Sequence, residues 1–213
     1  MIGLTTLILI RHGESESNII HIFNGQGNVQ LTKKGHEQAK KTAEYVTAKF
    51  KIDKIYSSDL DRAYNTAKYI SDITGLPITK KKGLREIFAG DWEGKDYKYI
   101  EEHYPEDYKA WREDIGNTKC FGGESVLELA ERFSKAVLEI AEENNGKTVV
   151  IAAHSAPLRA MRCVFAEEPL SKMQEYNWLN NASVSVVEFK DGKYEIKLWA
   201  EDSHLAEINA KYQ

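Results

Sequence analysis

The sequence predicts an α/β fold, a three-layer α/β/α sandwich with a mainly parallel central sheet and an antiparallel edge. Short runs of branched apolar residues alternate with amphipathic helical stretches, the order that builds parallel sheets. Two of those runs, 4–10 and 148–153, are apolar at nearly every position, as strands covered on both faces must be. The last two runs are joined through Asp191-Gly192, a hairpin signal that supplies the antiparallel edge.

The elements follow in order. Leu4 to Ile10 reads as a buried strand stopped by Arg11-His12-Gly13. Ala39, Ala43, Val46 and Phe50 recur at helical spacing between Lys34 and Phe50, and Ile52 to Tyr56 resumes a short strand. Ser57-Ser58-Asp59 can cap the next helix, whose stripe is Ala63, Thr66, Ala67 and Ile70, with Gly75 and Pro77 as stop signals. The segment 83–123 differs: it holds 8 of the chain's 22 aromatic residues, mixed with charges, and reads as a cap-like excursion of short helices and loops. Ser125 with Glu128 is a capping-box signal for a long helix carrying Val126, Leu129, Phe133, Val137, Ile140 and Ala141. The strand 148–153 runs straight into His154-Ser155-Ala156-Pro157, with Pro157 placed as the first residue of a helix through Phe165. Segments 183–189 and 194–198 form the hairpin.

Composition narrows the function. The 213 residues suit one domain over 1–213 with a core that needs no staples. With 42% hydrophobic and 29% charged residues, a disordered or fibrous chain is disfavoured. A formal charge of −4 lacks the broad basic surface that nucleic acid or an acidic membrane requires, so neither is an expected partner. Two cysteines, Cys120 and Cys163, without zinc-like or CxxC spacing point to a reducing compartment. The first apolar run is about seven residues against roughly 20 for a bilayer span, and no basic segment precedes it, so the cytoplasm is the expected location.

Polar chemistry gathers where strands end. His12 and His154 follow two buried strands, and if both strands lie in one parallel sheet both imidazoles emerge at its carboxyl edge, where ligands collect. Either ring alone is equally well a hydrogen-bonded structural histidine. Arg11 adjoins His12, and Arg62 sits near the start of a helix after a strand, so both guanidinium forks can meet a dianion there. The bland alternative is two ion-pairing surface arginines. Glu86 opens the aromatic excursion, where neighbours such as Phe88 and Trp92 can desolvate its carboxyl group and keep it protonated near neutrality. A solvated Glu86 is the competing reading. No dinucleotide, P-loop, nucleophile-elbow or HExxH motif occurs, and histidines and acids are too scattered for a metal site.

These residues resemble the histidine phosphatase, or phosphoglycerate mutase-like, superfamily. The matching elements are Arg11-His12-Gly13-Glu14-Ser15 with Asn18; Leu31-Thr32 with Gly35 and Gln38-Ala39; and Ser57-Ser58-Asp59-Leu60 with Arg62-Ala63 and Thr66-Ala67. Leu84-Arg85-Glu86 with Gly90 and Trp92-Glu93-Gly94, then Gly123-Glu124-Ser125, then His154, complete them in the family's order over about residues 7 to 160. The resemblance implies a phosphoglycerate mutase-like fold and a nucleophile, His12, that becomes a phosphohistidine. It implies that Arg11, Arg62 and His154 surround the phosphoryl oxygens, that Glu86 protonates the leaving oxygen and then activates water, and that Asn18, Asn24, Gly25 and Ser155 touch the substrate. It implies no metal, since two arginines and a second histidine supply positive charge. Surrounding cations also help keep His12 neutral for attack.

Two departures bear on the activity. Ser155 stands where many relatives have Gly, which puts the placement of a phosphate-binding amide in question. Ser17 stands where cofactor-dependent mutases carry Trp, and the excursion is compact. Ser17 and the compact excursion favour a phosphatase, which the resemblance makes a metal-independent phosphomonoesterase acting on a small phosphorylated metabolite, while the consequence of Ser155 stays open. The alternatives are phosphoglycerate mutase-type transfer, which alone would need a 2,3-bisphosphoglycerate primer, and a non-catalytic phospholigand-binding relative. A monomer and a homodimer are equally compatible with the sequence.

Overall fold

The computed structural model describes residues 3–212. Along the chain lie β1 (Thr5–Arg11), α1 (Glu16–Ile19), β2 (Ile22–Phe23), α2 (Lys33–Lys49), β3 (Lys54–Ser57), α3 (Asp61–Thr74) and β4 (Ile78–Lys80). Short turns of 3₁₀ helix lead into β5 (Lys95–Asp96), α4 (Tyr97–His103) and α5 (Pro105–Glu113). Then come α6 (Val126–Glu143), β6 (Thr148–Ala153), α7 (Ser155–Phe165), β7 (Val184–Lys190), β8 (Lys193–Glu201) and α8 (Ala206–Lys211).

The central sheet has the order β4-β3-β6-β1-β7-β8. Its first four strands run parallel, and β7 and β8 add an antiparallel edge, which is the predicted class. Side chains alternate along β1, so Leu7 and Leu9 pack on Phe133, Val137 and Ile140 of α6 and on Leu158 of α7. Ile8 and Ile10 point the other way, onto Ala43 and Val46 of α2 and Ala67 and Ile70 of α3. All four β1 residues are 0% exposed. Each such burial contributes about 1.5–3 kcal/mol, which is why this strand carries no polar alternation.

A third cluster sits beneath the aromatic excursion. Trp92, Ile100, Trp111 and Ile115 pack with Val126 and Leu129 of α6 and with Ala160 and Cys163 of α7. Six of the excursion's rings thus divide: Trp92, Tyr108 and Trp111 are buried, while Phe88, Tyr97 and Phe121 are exposed. Phe88 therefore does not shield Glu86, because its ring turns to solvent.

Local sequence chemistry explains most element ends. Ser125 caps α6 reciprocally with Glu128, and Asp191-Gly192, with φ of 51° and 78°, makes the two-residue turn of the β7–β8 hairpin. Three expectations need correction. The α3 helix is not capped by Ser57, Ser58 or Asp59; its N-cap is Leu60, and the Asp61 amide donates instead to Asn28 Oδ1 at 2.8 Å. Pro157 is the third residue of α7, since Ser155 already opens the helix. Strands β2, β4 and β5 and helix α8 were not expected; each strand has two or three residues, too few for periodicity to register. Among the described residues, no helix is long and apolar enough to cross a membrane.

Candidate active site

The sheet register builds the site's centre. Arg11 of β1 lies opposite Ala153 of β6, so the next residues, His12 and His154, leave neighbouring strands side by side. The His12 amide donates to the Ala153 carbonyl at 3.0 Å, and the two ring centroids are 5.2 Å apart. His12 Nδ1 lies 2.7 Å from the Gly13 carbonyl oxygen, which only accepts, so the ring proton is on Nδ1 and Nε2 keeps its lone pair. Gly13 in turn donates its amide to Thr66 Oγ1 at 3.0 Å. A Cβ at Gly13 would lie 2.4 Å from the Gly35 carbonyl oxygen, so glycine there lets the loop after β1 close against α2 and fixes the imidazole.

Two arginines flank the rings. Arg62, in the first turn of α3 and 2% exposed, donates to the Gly27 carbonyl at 2.7 Å and the Gly25 carbonyl at 2.8 Å. Arg11 donates to the Leu179 carbonyl, and its buried Nε has no partner among the described residues. Burial pushes both guanidinium groups down to about 10, still cationic at neutral pH. Burial, with the charges of Arg62 and Arg11, holds His12 well below the ordinary imidazole value. Burial and Arg62 do the same to His154, whose ring nitrogens both lack partners among the described residues.

Glu86 faces this cage with opposite polarity. Burial raises its carboxyl group above the ordinary value, outweighing amide donation from Ile87 at 2.9 Å and from Ala156, at the start of α7, at 3.4 Å. The residue after His154 thus leaves the Ala156 amide turned to Glu86, while the Ser155 hydroxyl is buried, unpartnered among the described residues, and lines the same cavity.

The cavity measures about 300 Å³ and is lined by His12, Arg11, Arg62, Glu86, Asn18, Asn24, Gly25 and Ser155. The ninth expected residue, His154, is 0% exposed and stands behind His12. Asn18 Oδ1 accepts from the Ser15 amide, the Ser15 hydroxyl and Asn181 Nδ2, which leaves its Nδ2 to face the cavity. Sequence reasoning missed the supports. Arg132 reaches from α6 to the carbonyls of Gly83, Arg85 and Glu86, and its fork also holds Glu124 at 2.7 Å. Arg85 pairs with Asp59 through two contacts of 2.7 Å, and Asn181 ties the His12 carbonyl to Asn18. It also missed Phe23 and Trp178 in the cavity wall. Asp59, Arg85 and Glu124 lie inside the motifs matched above, though their pairing was not foreseen, whereas Arg132, Asn181, Phe23 and Trp178 carried no local signal.

Among the described residues no group of three or more His, Cys, Asp or Glu side chains could hold a metal ion.

Known proteins resemble this chain in sequence and fold. The family model described as histidine phosphatase superfamily (branch 1) matches residues 7–202. The chain is 33% identical over 205 residues to phosphoserine phosphatase 1 of Hydrogenobacter thermophilus, covering 96% of each chain. It is 32% identical over 207 residues to a metal-independent phosphoserine phosphatase of Arabidopsis thaliana, covering 96% of this chain and 85% of the relative. The solved structure of Bacillus stearothermophilus YhfR superposes with a TM-score of 0.90 at 29% identity, covering 94% of this chain and 99% of that one. The chain belongs to branch 1 of the histidine phosphatase superfamily and is a phosphatase, an enzyme that hydrolyses phosphoric monoesters.

Proposed function

We propose that the protein hydrolyses a small phosphorylated metabolite without a metal ion, through a phosphohistidine on His12. The observation that carries this reading is the His12 Nδ1 contact to the Gly13 carbonyl, which leaves Nε2 unprotonated within the electrostatic reach of Arg62 and Arg11. In the first step, Nε2 attacks phosphorus in line, the P–O ester bond breaks, and protonated Glu86 gives its proton to the leaving oxygen. In the second, water attacks phosphorus, Glu86 takes a proton from that water, and the P–N bond breaks to release phosphate and neutral His12. Arg11 and Arg62 as fixed cations, with Asn18, Ser155 and the neutral His154 beside them, stabilise the charge on the transferring oxygens. Asn24 and Gly25 touch the remainder of the substrate.

A mutase must also hold a second phosphate or a carboxylate. Among the described residues the titratable groups in the lining beside Tyr97 are His12, Arg11, Arg62 and Glu86, which one phosphoryl group occupies, so hydrolysis is the favoured outcome. One domain over 1–213, with 83–123 as its cap-like excursion, belongs to the same reading and is supported by the length of the family match. A reducing, cytoplasmic setting suits the free buried thiols of Cys120 and Cys163.

Rapid quenching during turnover of a ³²P-labelled ester in EDTA tests the mechanism. An acid-labile, alkali-stable label on protein is expected in the wild type and is absent from His12→Ala, whose turnover is abolished. A label that persists in His12→Ala overturns the assignment. In parallel, 3-phosphoglycerate with a 2,3-bisphosphoglycerate primer should give no 2-phosphoglycerate; rapid isomerisation without phosphate release would make the enzyme a mutase.

A further inference from the structure

Beyond its charged lining, the cavity is aromatic. Phe23, Tyr97, Trp111 and Trp178 all line it, together with Ile22 and Ile87. The rings touch one another: Phe23 meets Trp111 edge-on with centroids 5.1 Å apart, Phe23 meets Tyr97 at 6.1 Å, and Trp111 stacks on Trp178 at 6.2 Å with 29° between planes. They come from four separate places in the chain, β2, α4, α5 and the segment before β7, so no single amphipathic element explains their meeting.

Trp178 is the unusual member, 48% exposed yet held. The Arg159 guanidinium lies 4.5 Å from its ring centroid, while Arg159 itself is 4% exposed. Arg159 also donates through Nε to the Tyr176 carbonyl at 2.7 Å and through Nη2 to the Gln174 carbonyl at 3.4 Å, fixing the segment that carries Trp178. Ser155 and Arg159 are one helical turn apart on α7, so the same helix that meets the phosphoryl group anchors the aromatic wall.

Resting on the phosphatase reading above, we infer that this wall selects the leaving group, and that the preferred substrates are monoesters of a neutral alcohol bearing an apolar or aromatic body. An ammonium or carboxylate on the leaving group would enter the cavity with no counter-charge left for it, since His12, Arg11, Arg62 and Glu86 serve the phosphoryl group; burying such a charge unpaired is unfavourable. A planar apolar body instead gains buried area and edge or face contacts with the rings. The selected class therefore differs from phosphoserine. Arg159 is a positioning residue in this scheme, acting through Trp178.

Calorimetric titration with two non-hydrolysable probes tests the wall directly: 2-phenylethylphosphonate, and 2-amino-4-phosphonobutanoate, which carries an ammonium and a carboxylate. The first should bind the wild type at least about tenfold more tightly, equivalent to about 1.4 kcal/mol. Trp178→Ala should lower that ratio about tenfold, Trp178→Phe should keep most of it, and Arg159→Lys, which retains charge but loses the planar stack, should lower it severalfold. Equal or tighter binding of the amino acid phosphonate, or an unchanged ratio in Trp178→Ala, overturns the inference. Hydrolysis of 2-phenylethyl phosphate and phosphoserine, both alkyl esters, is measured alongside. Turnover without the preference sinks only the wall, whereas the binding preference without turnover of either ester sinks the phosphatase reading and supports the wall.

Discussion

At the scale of single residues, environment sets apart the two groups to which the proposed mechanism gives the roles of acid and nucleophile, Glu86 and His12. Burial raises the Glu86 carboxyl group, and burial with two guanidinium groups lowers His12, so the carboxyl keeps its proton to higher pH than an ordinary carboxylic acid and the imidazole stays neutral to lower pH than an ordinary histidine. Glu86→Gln is expected to slow hydrolysis of an alkyl phosphate by about 10²–10⁴ and that of p-nitrophenyl phosphate much less, because a good leaving group needs no proton; equal losses on both esters would remove Glu86 from the acid role. The rate should fall as pH rises through the elevated Glu86 value, and on the acid side only once His12 protonates, well under its ordinary 6.5. Steady-state profiles on wild type and Glu86→Gln check this, with the alkaline limb disappearing in the variant. His12, Arg11, Arg62, Glu86 and His154 were legible because each sits at the end of an apolar run or inside a recognisable motif. Arg132 was not, since it lies in the middle of a helix and its partners at Gly83, Arg85 and Glu86 are 46 to 49 residues away.

At the scale of elements, buried strands and reciprocal caps were readable and remote caps were not. The β1 and β6 strands announce themselves through the apolar stretches 7–10 and 149–153. The α6 cap is written within four residues, from Ser125 to Glu128, whereas the first amide of α3 relies on Asn28, 33 positions earlier. Ser125→Ala should lower stability by about 1 kcal/mol, read as a shift of the urea midpoint with an unchanged slope. The same substitution should leave the dependence of rate on pH as it was, because the Ser125 hydroxyl bonds to Glu128, its backbone pairs with Lys119, and the residue does not line the cavity. An altered pH profile would mean that the helix end moves Glu86.

For the molecule as a whole, two imidazoles held neutral in the interior link folding to pH. Between the ordinary 6.5 and their lowered native values, the unfolded chain binds protons that the native protein does not, so stability falls as pH falls. Each ring contributes up to about 1.4 kcal/mol per pH unit in that window. Glu86 acts with the opposite sign, since its raised value makes the native state bind more protons, and one carboxyl group offsets only part of two imidazoles. Urea unfolding should therefore give a lower midpoint at pH 5.5 than at pH 7, and His154→Asn should flatten the difference. A midpoint independent of pH in the wild type would mean that the rings are not kept neutral. The layered core was legible in the sequence, yet the meeting of Phe23, Tyr97, Trp111 and Trp178 was not, because it depends on tertiary docking of segments spread over more than 150 positions.

The placement of the two imidazoles on adjacent central strands has a consequence for how such an enzyme can change. The two imidazoles follow central strands of the sheet, whereas the rings of the cavity wall belong to β2, α4, α5 and the segment before β7, outside that sheet. Natural variation can therefore rework what the enzyme accepts, one outlying segment at a time, while its reaction chemistry is inherited intact.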